Sequence, residues 1–271
     1  METLPVANPF GAPVYYRDLV SSTMDEARVL AKDGAPHGTV ASAGFQERGR
    51  GSRGRMWNAE GGKNLFFTIL LRYGGFDAVP RCLTLRTGLA LSLAVEDLAG
   101  DLGIRLPRPV LVKWPNDVMI PLVLGESVFY RKTAGILTEA NGSAVFTGVG
   151  VNVGQSEFQE ELRDRAGSLA MAFGPLSPRA PLVMLEKTLS RLYREIETPS
   201  AAPSWTERLD ERLYRKGERV RFRVGAADAG NVVEGILRGI GRNGEILIDT
   251  EGGTETFVSG ELEFGGTAWG R

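Results

Sequence analysis

One cysteine and one histidine are all that the 271 residues contain of either type, and that scarcity removes several chemistries at once. Cys82 alone can form neither an internal disulfide nor a cysteine-rich metal site. A Ser-His-Asp hydrolase, or a zinc site needing several histidines, would have to be built around His37. That residue lies in Ala-Pro-His-Gly, a loop-like context that predicts an exposed side chain. Charge of one sign is also missing: the formal net charge is −1, whereas non-specific nucleic-acid binders usually carry an overall basic face. No stretch reaches the roughly 18 uninterrupted apolar residues that span a bilayer. Residues 1–14 lack a basic region followed by an apolar core, so no secretory leader is expected. With 42% hydrophobic and 24% charged residues, the chain has the composition of a soluble protein with a real core. The cytosol is the simplest compartment.

What is present concentrates between residues 44 and 57. Residues 48–55 hold Arg48, Arg50, Arg53 and Arg55 with Gly49, Gly51 and Gly54 between them. Glycine lets backbone approach a ligand closely, and arginine offers a permanently charged fork to carboxylate and phosphate. A solvated, disordered segment is the bland reading. Against it, the run is short and passes straight into Asn64-Leu65-Phe66-Phe67-Thr68-Ile69-Leu70-Leu71, a strongly strand-like stretch.

Along the chain, Thr23 and Glu26 have capping-box spacing ahead of a helix to Lys32, with Gly34 as its stop. A strand over 39–43 delivers the chain to the arginine segment. The spacing of Leu85, Leu89 and Leu93 predicts a helix over 82–98, with Cys82 a packing residue. A short buried strand at 110–112 ends in Lys113-Trp114-Pro115-Asn116-Asp117, where Pro115 opens a turn. The plain reading of Lys113 lays its stem on Trp114 with the ammonium in solvent. Residues 121–130 read as an irregular connection, and 133–139 as a strand entering a hairpin at Asn141-Gly142. The partner strand, 144–153, carries Gly148 and Gly150, with Gly154 beyond, so one face is bare for a ligand or another backbone. Residues 181–197 form an amphipathic helix. A break over 198–204 and a bridging helix over 205–213 follow. Four β-like runs then cover 218–224, 231–239, 245–250 and 254–259, separated by turns at 225–230, 242–244 and 252–253. This makes a β-module of about 50 residues, a size that leans on a neighbour.

The Gly/Arg segment, the strand-end Lys113 and the glycine-bared strand together suggest a pocket for a slender ligand with several negative charges. A nucleoside triphosphate beside a carboxylate substrate fits. When a carboxylate attacks an α-phosphate, charge grows on phosphate oxygens, and fixed cations stabilise it without a histidine. The segment matches neither the phosphate-binding P-loop nor a dinucleotide fingerprint.

Three motifs carry a resemblance: Gly49-Arg50-Gly51-Ser52-Arg53-Gly54-Arg55-Met56-Trp57, Lys113-Trp114-Pro115-Asn116-Asp117, and Lys132-Thr133-Ala134-Gly135-Ile136-Leu137-Thr138-Glu139. In this order, and with Gly148-Val149-Gly150-Val151-Asn152 after them, the chain resembles the biotin protein ligases from about residue 14 to 264. The resemblance implies an α+β fold: a class II aminoacyl-tRNA-synthetase-like catalytic domain over 1–212, with a mixed sheet and packed helices, and an SH3-like β-barrel over 213–271. It implies biotin and MgATP as substrates, biotinoyl-AMP as intermediate, and a lysine of a biotin carboxyl carrier domain, as in acetyl-CoA carboxylase, as acceptor. Magnesium would be carried in with ATP. About 13 residues precede the resemblance, so a DNA-binding domain is not expected, nor DNA as partner. The sequence is compatible with a homodimer.

Carried over by position, Ser22, Thr23 and Gln46 would bond the ureido ring. Gly49 and Arg50 would hold the carboxylate, Gly135 and Gly148 would line the biotin cleft, and Arg53, Arg55, Trp57, Asn116 and Asn152 would serve ATP. Lys113, with Arg50, would be catalytic, lying between carboxylate and α-phosphate. For Asn116 and Asp117, a turn-forming role and a metal or ligand contact both stay open. Two positions depart from the family: Met24 stands for its asparagine and Ser52 for an arginine that helps enclose the adenylate, so weaker retention of biotinoyl-AMP is expected. A lipoate or octanoate transferase of related fold, an inactive homologue and an RNA-binding module are the competing readings. The Ser22/Thr23/Gln46 set favours biotin, and the lack of aromatics within the arginine segment disfavours RNA.

Overall fold

The structure is a computed structural model that describes residues 1–57, 60–198, 203–225 and 231–263. Its first half is built on strands whose side chains alternate between two covered faces. In chain order these are β1 (Glu2–Thr3), β2 (Val14–Val20), α1 (Thr23–Lys32), β3 (Thr39–Gln46), β4 (Leu65–Arg72), α2 (Leu83–Asp101), β5 (Leu111–Lys113), β6 (Asp117–Leu124), β7 (Ser127–Asn141) and β8 (Ala144–Val151). They form one mixed sheet in the order β1-β2-β3-β4-β8-β7-β6-β5. Only the β2–β3 pair is parallel, as its connection through α1 requires.

The period of two decides what each face does. Phe67, Ile69 and Leu71 of β4, with Val145, Val149 and Val151 of β8, pack into one core with α2 and with α4 (Ala180–Ile196). The residues between them, Thr68, Gly148 and Gly150, therefore face the other side, where Met24 and Ala27 of α1 pack on Ala41, Leu70 and Phe146. The site lies on this second face.

After α3 (Leu169–Phe173), α4 and α5 (Trp205–Glu211) come β9 (Arg219–Val224), β10 (Val232–Ile240), β11 (Ile246–Thr250), β12 (Gly253–Phe257) and β13 (Gly260–Leu262). They make an antiparallel sheet in the order β12-β11-β10-β9-β13, open at its two ends. Val220, Phe222, Leu237, Ile246, Ile248 and Leu262 share a core with Leu85 and Leu89 of α2 and with Trp114. The small sheet thus completes its core with residues of the large one, the dependence expected at this size. Among the described residues, Phe76–Asp101 is long and apolar enough by composition to cross a membrane, but 61% of that window is buried. It is the helix both cores share.

Several expectations change. Residues 121–130 are not irregular: β6 runs to Leu124 and β7 starts at Ser127, closing a hairpin at Gly125-Glu126. Pro121 is tolerated because β5 reaches only Met119, leaving the outer side of β6 without a strand partner there. The next hairpin exists, but its loop is Gly142-Ser143, with Asn141 paired to Ala144. The N-cap of α1 is Ser22, not Thr23. The C-terminal module has a fifth strand, β13, too short for a pattern to reveal. His37 is half-buried: its Nδ1 accepts from Arg72 N at 3.0 Å, and its Nε2 stands 3.3 Å from Glu197. The break at 199–202 and the turn at 226–230 lie outside the described residues.

Candidate functional site

The glycine-arginine segment is an ordered turn. Trp57 N donates to Gly49 O at 2.9 Å, Gly51 N to Arg55 O at 2.8 Å, and Arg50 bridges Met56. At its tip Arg53 and Gly54 both take positive φ, 60° and 70°. A β-carbon at Gly49 would stand 2.7 Å from Trp57 O, so the ladder closes only on glycine.

This turn covers a pocket on the second face of the large sheet. Its inner end is polar and already hydrogen-bonded. Thr23 donates to Gln46 Oε1 from N at 2.8 Å and from Oγ1 at 3.1 Å, and Thr23 Oγ1 lies 2.9 Å from Thr68 Oγ1. Ser22 Oγ accepts from Met24 N at 3.2 Å. These groups sit where a strand end, a helix start and the middle of β4 meet, so their positions follow from the sheet.

The bared glycine face is present but occupied. Gly135 of β7 pairs with Gly150 of β8, and the Trp57 indole lies on both. A β-carbon would come within 2.7 Å of the ring at Gly135 and 2.8 Å at Gly150. Trp57 Nε1 is buried with no hydrogen-bond partner among the described residues, a donor left for a ligand. At Gly148 a β-carbon would meet Met24 Cε at 3.0 Å. Gly150→Ala is therefore expected to lift the indole. Ligand KM should rise by about tenfold, and overpacking should lower stability by about 1–3 kcal/mol; a thermal melt and steady-state kinetics check both.

At the pocket mouth stand Arg50, which pairs with Asp25 of α1, and Lys132. Lys132 Nζ is 2.6 Å from Asp117 Oδ1 and 5.2 Å from the Trp57 ring centroid. Lys113, expected here, lines a different pocket of about 550 Å³ between the turn, the 114–116 turn and β13. Its side chain is 1% exposed, so its ammonium does not reach solvent, and it lies 3.8 Å from Asp117. Burial pushes the Lys113 ammonium below the ordinary lysine range, against the pull of Asp117 and Glu261, with Lys132 and Arg55 lowering it further.

The remaining expected residues divide. Ser22, Thr23, Gln46, Arg50, Trp57, Asn116, Gly135 and Gly148 line the first pocket together. Arg53 and Arg55 reach the second, toward the C-terminal sheet. Gly49 shapes the turn. Asn152 is buried behind β8, donating to Gly167 O at 3.1 Å. Asn116 borders both pockets while holding β7, its Nδ2 donating to Ile136 O at 2.9 Å. Its turn role and its ligand-facing place coexist. Trp114–Pro115 is a cis peptide. Thr68 and Lys132 had no assigned part. A lone hydroxyl in an apolar strand was the available signal for Thr68; for Lys132 it was a cation opening the third motif.

Comparison with known proteins agrees with this geometry. Residues 16–156 match the biotin/lipoate A/B protein ligase family. The chain is 31% identical to the bifunctional ligase/repressor BirA of Bacillus subtilis over 264 residues, covering 94% of this chain and 75% of that protein. It is 32% identical to the biotin–[acetyl-CoA-carboxylase] ligase of Mycobacterium tuberculosis over 247 residues, 89% of this chain and 85% of the other. Among solved structures, the biotin protein ligase of Aquifex aeolicus in complex with biotin and ATP superposes with a TM-score of 0.70 at 29% identity, covering 92% and 97% of the two chains. The chain belongs to the biotin/lipoate A/B protein ligase family.

Proposed function

We propose that this chain activates biotin with ATP and passes it to a lysine of a biotin carboxyl carrier domain. The observation that carries the reading is that one pocket joins the bonded Thr23–Gln46–Thr68 set to two cations, Arg50 and Lys132. The first suits the ureido ring of biotin, the second its carboxylate and the α-phosphate of ATP.

In the first step the biotin carboxylate oxygen attacks the α-phosphorus and pyrophosphate leaves. Lys132 and Arg50 stabilise the charge that grows on the phosphate oxygens, and a site that excludes water strengthens both. In the second step a carrier lysine amine attacks the acyl carbon, an amide forms, and AMP leaves. No histidine is required. Magnesium would arrive with ATP, bound chiefly through the substrate phosphates. The ion would draw charge off the phosphates, while Asp117 is engaged by Lys132 at 2.6 Å and lies 3.8 Å from Lys113. We read residues 1–212 as the catalytic domain and the open C-terminal sheet as an SH3-like module. The cytosol is the compartment that supplies ATP and acceptor.

Incubation with ATP, Mg²⁺ and either biotin or lipoate tests the reading. Pyrophosphate with biotin alone, and labelling of an apo carrier domain, are expected. Pyrophosphate with lipoate alone, or with neither acid, would sink it.

Ser52 borders both pockets, so an arginine there would reach an adenylate lying across them. Ser52→Arg should therefore slow escape of biotinoyl-AMP by about tenfold, the worth of one charge-assisted hydrogen bond. Release followed by filtration checks this, and equal rates would remove Ser52 from the account.

A further inference from the structure

The second pocket holds an imbalance of charge that the first does not explain. Arg53, Arg55 and Lys113 converge there on Asp117 and on Glu261 of β13. Asp117 already faces Lys132 at 2.6 Å. Glu261 is the carboxylate that the arginines use: it lies 2.9 Å from Arg55 Nη1 and 3.7 Å from Arg53 Nη1. Arg53 Nη2 is anchored on Gly225 O at 2.9 Å, yet Nη1 is buried without a hydrogen-bond acceptor among the described residues. Placing that guanidinium takes a left-handed backbone at Arg53, φ 60°, a strained conformation for a side chain of this kind. Cations gathered under strain, one with a spare buried donor, describe a site short of negative charge.

A phosphate chain supplies what is missing. We propose that Glu261 is a positioning residue for the nucleotide step: it holds Arg53 and Arg55 over the empty pocket and yields them to the entering polyphosphate. The inference rests on the nucleotide-dependent reading above and adds a part for the C-terminal sheet. A contact made only in the empty state competes with the ligand, so apparent affinity falls by the fraction of molecules in which it is released. The same carboxylate, returning, shortens the stay of the pyrophosphate product.

The test compares wild type with Glu261→Gln and Glu261→Asp, titrated calorimetrically with magnesium pyrophosphate and with AMP. Glu261→Gln keeps the shape and removes the charge. It should bind pyrophosphate about three- to tenfold more tightly, the range of one or two partly exposed ion pairs. Glu261→Asp should stay near wild type, and AMP should bind all three alike. The gap should narrow at high salt, because the competing pair is screened. In turnover, KM for ATP should fall for Glu261→Gln while KM for biotin stays. Unchanged or weaker pyrophosphate binding overturns the proposal, and so does equal tightening toward AMP. If pyrophosphate binding depends on Glu261 as stated but biotin gives no adenylate, the ligase reading fails and this one stands. Adenylate formation without any effect of Glu261 is the reverse.

Discussion

Lys132→Ala should slow biotin-dependent pyrophosphate formation by about 10²–10³-fold, the usual loss when one preorganised group facing transition-state charge is removed. Its ammonium stands at the mouth of the pocket that holds the Ser22, Thr23 and Gln46 groups, fixed by Asp117 at 2.6 Å and by the Trp57 face. Its side chain is 28% exposed, so the fold should tolerate the change. Lys113→Ala should behave differently. That side chain is buried and borders the second pocket, so its loss should leave Asp117 short of a partner and lower stability, and it should weaken ATP binding more than it slows chemistry. Single-turnover adenylation and thermal melts of both variants separate the two roles. A loss under tenfold for Lys132→Ala, with Lys113→Ala inactive but folded, would move the catalytic role to Lys113.

This pair of lysines marks the limit of what the residues disclose by themselves. Both open or close a motif, and both neighbour an apolar strand. Which one faces the substrate depends on the side of the sheet each strand presents at that point. Between Val118 and Met119 the β6–β7 register shifts, and such a shift moves side chains between faces. Alternation alone cannot supply that information. The arginine segment, the helix spacing of 181–197 and the glycine-bared strand were legible, because each is a local pattern with a local cause. The cover of that bare strand was not, since Trp57 returns to Gly135 and Gly150 only once the turn at 49–57 has closed. Glu261 was equally hidden: it meets Arg55 across a separation of 206 residues. What holds the two sheets in register is the remaining question, and Trp114 answers it.

Trp114→Ala should destabilise the protein by about 3–5 kcal/mol, the range for truncating a buried aromatic. The indole is 3% exposed. It packs on Phe222 of β9 with centroids 5.6 Å apart, and its Nε1 donates to Gly244 O at 3.0 Å. The substitution thus opens a cavity in the core shared by the sheets and strands a carbonyl at the turn before β11. The loss should reach the site, because Lys113 precedes Trp114 directly and Asn116, two residues on, borders both pockets. With the C-terminal sheet loosened, Gly225 no longer anchors Arg53 at the second pocket. Nucleotide KM should then rise while biotin affinity, proposed to rest on Thr23, Gln46 and Thr68, changes little. Trp114→Phe should keep the ring contact and lose only the hydrogen bond, costing about 1 kcal/mol. Denaturant melts followed by separate titrations of biotin and ATP distinguish these outcomes. Equal loss of both ligands would mean that the two sheets do not divide the site between them.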